Sequence, residues 1–209
     1  MRILIADDHP IFRAGLKEIL SKRKEVELIG EAENGRKALE LARKQRWDVV
    51  LLDLTMPEKD GVEALQELRR ERPKLPVLVL SAHPEDQLAL RLLKSGAAGY
   101  LTKDKAPEEL FTAIRKVLRG EKYISHSLAG KVALDVVSGE GRASHEALSD
   151  REYQVMRMIA AGKAIGEIAK ELFLSVRTVS TYRARVLEKM NMKTNAELIR
   201  YALQNKLVD

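Results

Sequence analysis

The 209-residue sequence predicts a doubly wound α/β domain on a five-stranded parallel sheet, followed by a small all-α domain of four helices. Two observations carry that prediction. Residues 1–120 alternate short Val/Leu/Ile runs with longer helical patterns, five times in succession, which calls for a parallel sheet covered by helices on both faces. Beyond Gly120 the strand signal stops and only helical periodicity remains.

Taken in order, the predicted strands are residues 3–6, 26–32, 49–52, 77–80 and 99–102, with helices starting near Pro10, Gly35, Gly61, Asp86 and Pro107. The first run, Arg2-Ile3-Leu4-Ile5-Ala6, delivers Asp7 and Asp8 at its C-terminal end. The third delivers Asp53, followed at once by Leu54-Thr55-Met56-Pro57. From Val137 to Ser144 the chain has linker composition. After it, Ser149-Asp150-Arg151-Glu152 and Thr194-Asn195-Ala196-Glu197 fit capping boxes that mark helix starts. Ile165, Ile168, Ala169 and Leu172 share one helix face, and Ser175 is placed to cap a helix beginning at Val176. The expected organisation is a domain over 1–120, a linker over 121–147 and a second domain over 148–209.

There is no Cys, so disulfides and thiolate metal sites are excluded. Asp7 and Asp8 come too early for a secretory signal, and no apolar stretch approaches the length of a membrane span, so a cytoplasmic protein is expected. The net charge of +6 is divided between the two regions: 23 basic and 20 acidic residues in 1–120, 11 and 8 in 145–209. The informative charge is local, with Arg177, Arg183, Arg185 and Lys189 against Glu188 alone between Ser175 and Met190.

Ligands of open α/β sheets bind at the carboxyl ends of the strands, where Asp7, Asp8 and Asp53 would converge. Three carboxylates there repel one another unless a cation sits among them. An all-oxygen donor set suits a hard ion, most naturally Mg2+, held by Asp8 and Asp53 with Asp7 acting directly or through water. One Asp53 oxygen is then free to attack phosphorus. Lys103, after the fifth strand, supplies a fixed cation, and Ser81, after the fourth, a small hydroxyl donor. In the second domain, helical spacing puts Val179, Tyr182, Val186 and Met190 on the inner side of the helix from Val176. Arg177, Ser180, Thr181, Ala184 and Arg185 lie on the outer side, which reads as helix-turn-helix after the short Phe173-Leu174-Ser175 connection.

The set Asp7/Asp8, Asp53-Leu54-Thr55-Met56-Pro57 with Asp60-Gly61, Ser81-Ala82 and Lys103 resembles the receiver domain of bacterial two-component response regulators, a flavodoxin-like fold, over all of residues 1–120. The resemblance implies that Asp53 accepts phosphate from a histidine kinase and that the main-chain carbonyl of Thr55 is a further Mg2+ ligand. It also implies that Ser81 and Tyr100 form a switch pair, the hydroxyl moving toward the phosphate as the ring turns inward. One departure is Asp104, where many receivers place a cis-proline after the lysine.

Residues 148–203 resemble the DNA-binding domain of NarL/FixJ (LuxR-type) regulators, through Ile165-Gly166-Glu167-Ile168-Ala169, Leu174-Ser175-Val176-Arg177-Thr178-Val179 and Arg185-Val186-Leu187-Glu188-Lys189-Met190. That likeness implies base-facing roles for Ser180, Thr181 and Ala184, and phosphate contact or anchoring for Arg177, Tyr182, Arg185 and Lys189. These base-facing side chains are small, so readout is expected to lean on methyl contacts, water and DNA shape. The last helix, with Leu198, Ile199, Ala202 and Leu203, is implied to mediate a homodimer on double-stranded DNA. The expectation is thus a phosphorylation-switched transcription factor, not an enzyme.

Three rival readings are weaker. A phosphohydrolase with Asp53 as nucleophile needs a second catalytic acid two residues later, where this chain has Thr55. No Gly-x-Gly-x-x-Gly follows the first strand to support dinucleotide binding. A receiver joined to an RNA- or protein-binding module is opposed by the basic recognition helix. Two residues beyond Ser81 and Asp53 stand His83 and Thr55, placed to admit or exclude the water that hydrolyses an aspartyl phosphate. His9 is read as a loop residue without a role, and Trp47 as packing at a helix end.

Overall fold

The computed structural model describes residues 1–82, 87–124, 144–205 and 207–208, and the chain divides into two compact units. In the first, β1 (Arg2–Ala6), α1 (Pro10–Ser21), β2 (Leu28–Ala32), α2 (Gly35–Lys44) and β3 (Val49–Asp53) are followed by α3 (Gly61–Glu71), β4 (Val77–Ser81), α4 (Gln87–Lys94), β5 (Gly99–Thr102) and α5 (Ala106–Leu118). The strands form one parallel sheet in the order β2-β1-β3-β4-β5. Chain order reverses between β1 and β3, which leaves a crevice at their carboxyl ends. Every residue of β3 and β4 is buried, as a sheet covered on both faces requires. One side of the core joins Ile3, Ile5, Leu51, Leu78 and Leu101 to Leu16, Leu20, Leu110 and Ile114 from α1 and α5.

The sequence reading and the structure differ at a few boundaries. β2 starts at Leu28 rather than Val26, because Val26 donates its N–H to Arg23 in the turn leaving α1, and pairing begins at Arg2 with Leu28. β3 and β4 each run one residue further than predicted and take in Asp53 and Ser81. The predicted start of α4 at Asp86 lies outside the described residues, as does His83. Tyr123, assigned to the linker, instead pairs with β5: its N–H donates to Ala98 and its carbonyl accepts from Tyr100. Trp47 packs at the end of α2, donating its indole N–H to the Leu41 carbonyl at 2.9 Å.

The second unit has a 3-10 turn at Ser144–Ala147, within the predicted linker, then α6 (Asp150–Ala160), α7 (Ile165–Glu171), α8 (Val176–Lys189) and α9 (Asn195–Gln204). The α6 capping box forms as predicted, with Ser149 accepting from Glu152 and Glu152 accepting from the Ser149 N–H. At α9 only half of it forms: Thr194 accepts from the Glu197 N–H, while the Glu197 carboxylate reaches the Lys193 N–H instead. Ser175 caps α8 through the Thr178 N–H. The α6 helix lies against α8 and α9, and α7 packs on α8. Val155, Met156, Ile168, Leu172, Val179, Val186, Leu198 and Ala202 fill the core.

Five helix ends, spread over both units, close in one way. Gly96, Gly120, Gly162, Phe173 and Asn191 take positive φ. The N–H after each bonds a carbonyl five residues back, as Leu174 does to Ala169 at 2.8 Å. Phe173 thereby sets the tight turn between α7 and α8.

Gly61 fixes the loop after β3. A Cβ there would stand 1.9 Å from the Asp53 carbonyl oxygen and 2.7 Å from the Leu54 Cα, both backbone atoms that have little room to yield. Gly61→Ala is expected to destabilise the first unit by about 1–3 kcal/mol, read as a lower urea midpoint. An unchanged midpoint would show that the loop has slack.

Candidate functional site

Asp7 and Asp8 follow β1, Asp53 ends β3, Ser81 ends β4, and Lys103 follows β5, so four neighbouring strand ends deliver them to one crevice. The Lys103 N–H donates to the Ser81 carbonyl at 2.8 Å, which ties the cationic and hydroxyl-bearing residues together through the backbone. The Lys103 ammonium lies 2.8 Å from Asp53 Oδ2 and 2.8 Å from Asp7 Oδ2, bridging the two carboxylates. It also sits 4.9 Å above the Phe12 ring, a neighbour that the sequence reading had not singled out. Asp53 Oδ1 accepts the Thr55 N–H at 3.4 Å. Ser81 and Tyr100 are buried, Tyr100 completely, so the ring of the expected switch pair is already in the interior.

The electrostatics follow from this packing. Burial pushes the Asp53 carboxyl up; Lys103 pulls it back and Asp7 adds repulsion, which leaves a pKa of about 6. Burial depresses the Lys103 ammonium, but Asp53 and Asp7 outweigh it and raise its pKa above the ordinary lysine value. The Asp8 Oδ1 atom is buried without a hydrogen bond among the described residues. One ammonium, paired with Asp7 and Asp53, thus stands against three acids. That shortfall and the oxygen-rich donor set fit a divalent cation, and ligand atoms of Asp7, Asp8, His9 and Asp53 all lie within 4.8 Å of one another. His9 was missed in the sequence: its ring stands 2.9 Å from Asp8 Oδ1. Its place between two acids and the first turn of α1 was the available signal.

In the second unit α8 presents Arg177, Ser180, Thr181, Ala184 and Arg185 to solvent and keeps Val179, Val186 and Met190 inside. The Ser180 and Thr181 hydroxyls donate to the Val176 and Arg177 carbonyls at 2.8 and 3.0 Å. Their protons are therefore committed to the helix, and only acceptor lone pairs and the Thr181 methyl face outward. Tyr182 is half-buried. Lys189 bonds the buried Glu152 carboxylate at 2.6 Å and so ties α8 to the start of α6. Burial pushes Glu152 up, yet Lys189 and the Ser149 bonds hold its pKa below the usual glutamate value.

Asp53 gives a pH prediction with a definite sign. A carboxyl raised from 3.8 to about 6 on folding favours the fold only while protonated, and that contribution is lost as pH rises through 6. Without divalent metal, Asp53→Asn is therefore expected to be more stable than wild type by about 2–3 kcal/mol at pH 8, with the gap closing toward pH 4. Urea midpoints across that range check it, and a gap independent of pH would refute it.

Comparison with known proteins agrees with these two units. The family model described as the response regulator receiver domain matches residues 3–115. That of the bacterial regulatory proteins of the LuxR family matches residues 146–202. The response regulator UvrY of Escherichia coli (strain K12) is 38% identical over 208 residues, covering 99% of this chain and 95% of its own. The response regulator GacA of Pseudomonas aeruginosa is 38% identical over 210 residues, covering 100% and 98%. Among solved structures, a complex of the response regulator RcsB with DNA superposes with a TM-score of 0.66 at 27% identity, covering 96% of this chain and 97% of that one. The chain belongs to the LuxR-type two-component response regulators, DNA-binding transcriptional regulators rather than enzymes.

Proposed function

We propose that Asp53 is the phosphoacceptor and that its phosphorylation by a histidine kinase drives dimerisation and operator binding. The observation that carries this reading is Lys103, which holds Asp7 and Asp53 together at 2.8 Å each in a crevice short of positive charge. An Asp53 oxygen attacks the phosphorus of the kinase's phosphohistidine. The new O–P bond forms as the N–P bond breaks, and the imidazole leaves with the electron pair. Asp7, Asp8, Asp53 and the Thr55 carbonyl would hold Mg2+, which when bound neutralises charge on the phosphoryl oxygens. Lys103 passes from the carboxylate to a phosphoryl oxygen, since the acyl phosphate no longer carries charge on Asp53 itself. The Ser81 hydroxyl approaches another. Tyr100, already interior, keeps the space that this movement needs.

The reader of DNA is α8. Ser180, Thr181 and Ala184 face base edges, and with their donors engaged internally they supply methyl contact and acceptors rather than bidentate hydrogen bonds. Arg177 and Arg185 contact phosphates, while Tyr182 and Lys189 anchor the helix to its own domain. The α9 helix buries Leu198 and Ala202 but leaves Leu203 52% exposed, which supports its use in a two-fold dimer on two half-sites. Among the described residues no helix is long and apolar enough to cross a membrane, and a DNA target supports a cytoplasmic site of action.

Two measurements test this function. Beryllofluoride with Mg2+ is expected to convert wild type to a dimer on gel filtration and to tighten duplex-DNA binding, with no effect on Asp53→Ala. Equal DNA affinity in both conditions would remove the crevice from the switch. Arg177→Ala and Arg185→Ala are each expected to lower the slope of log affinity against log salt by about 1, whereas Lys189→Ala leaves the slope unchanged and lowers the domain's stability. An unaltered slope in the arginine variants would place the phosphate contacts elsewhere.

A further inference from the structure

We propose that His9 is a direct ligand of the crevice cation, giving a mixed oxygen and nitrogen donor set that favours a first-row transition ion such as Mn2+ over Mg2+. The inference rests on the cation site of the proposed function and adds a residue and a selectivity to it. His9 is the residue before α1: its N–H donates to Asp7 Oδ1 at 2.8 Å and its carbonyl accepts from the Arg13 N–H at 3.0 Å, so its backbone is pinned. Pro10 opens the helix directly after it. From this fixed base the ring Nδ1 stands 2.9 Å from Asp8 Oδ1, 3.3 Å from Asp7 Oδ1 and 3.8 Å from Asp53 Oδ2.

These spacings suit a shared ion. Ligands at right angles around an octahedral ion about 2.1 Å away stand about 3 Å apart, and opposite ligands about 4.2 Å. The first two distances match adjacent positions, and the third falls between adjacent and opposite. The ring is 62% exposed, so its other nitrogen can keep a proton in water while Nδ1 offers a lone pair inward. Imidazole binds Mg2+ poorly and Mn2+ better, so a nitrogen among the donors widens the gap between the two ions. A ring acting instead as an imidazolium counter-charge would compete with any cation, and its removal would tighten Mg2+ binding.

The test uses the full chain at pH 7.5: calorimetric titration with MnCl2 and MgCl2, and pulsed electron paramagnetic resonance of bound Mn2+, for wild type, His9→Ala and His83→Ala. His83 is the control, being the other imidazole close in sequence to a strand end of the crevice. Expected are a 14N imidazole coupling in wild type and His83→Ala that vanishes in His9→Ala, and an approximately tenfold loss of Mn2+ affinity in His9→Ala against less than threefold for Mg2+. No nitrogen coupling in wild type, a coupling that survives in His9→Ala, or Mg2+ affinity that rises or falls as much as Mn2+ would overturn the role of His9. Asp8→Ala separates the two levels. If neither ion binds wild type, or if both still bind Asp8→Ala, the acidic site itself fails; Mg2+ binding that needs Asp8 but is indifferent to His9 overturns only this inference.

Discussion

Two neighbouring parallel strands end in acids, and the receiver half of this protein depends on one ammonium to let them coexist. Lys103 spans Asp7 and Asp53 at 2.8 Å each, and the two carboxylates are almost wholly buried. Burial keeps Asp53 harder to ionise than an ordinary aspartate, and one positive charge among three acids leaves the crevice short of cation. A divalent cation seated among these oxygens would restore that balance. The energetic strain of the resting crevice and its affinity for a charged ligand therefore have the same origin.

The DNA-binding half is organised differently. Its hub is α6, which receives α8 and α9 on its sides and is anchored at its N-terminus by Ser149 and Glu152. Glu152 serves twice, closing the capping box and accepting Lys189 from the far end of the recognition helix. The orientation of α8 is thus set by a half-buried ion pair as well as by Val179 and Val186. Its outward face is quiet because Ser180 and Thr181 spend their protons on their own helix.

Much of this was legible in the sequence, for identifiable reasons. Strands buried on both faces leave continuous apolar runs, and acids or hydroxyls that stop such runs must lie at the sheet edge, so Asp7, Asp8, Asp53, Ser81 and Lys103 could be placed before any coordinates. The α8 faces followed from a period of 3.6 residues, and Val179, Val186 and Met190 are buried as that period requires. What stayed hidden depends on side-chain direction or on long-range pairing. Nothing local tells that Phe12 lies under Lys103 or that Lys189 reaches Glu152, and the place of His9 beside the acids does not give the direction of its ring. Tyr123 escaped because a single residue pairing with β5 leaves no periodic trace. Val26 misled because a β-branched residue in a turn looks like the start of a strand.

That pairing of Tyr123 has a mechanical consequence. Residues 122–124 are the last described before the stretch leading to the DNA-binding unit, and Tyr123 is fastened to β5 by backbone bonds from Ala98 and Tyr100. The same four-residue strand is followed at its other end by Lys103, a span of about 13 Å. Lys103 and the root of the outgoing chain therefore sit at opposite ends of one rod. A shift of that rod is delivered to the departing polypeptide as displacement of its anchor point, without passing through the rest of the sheet.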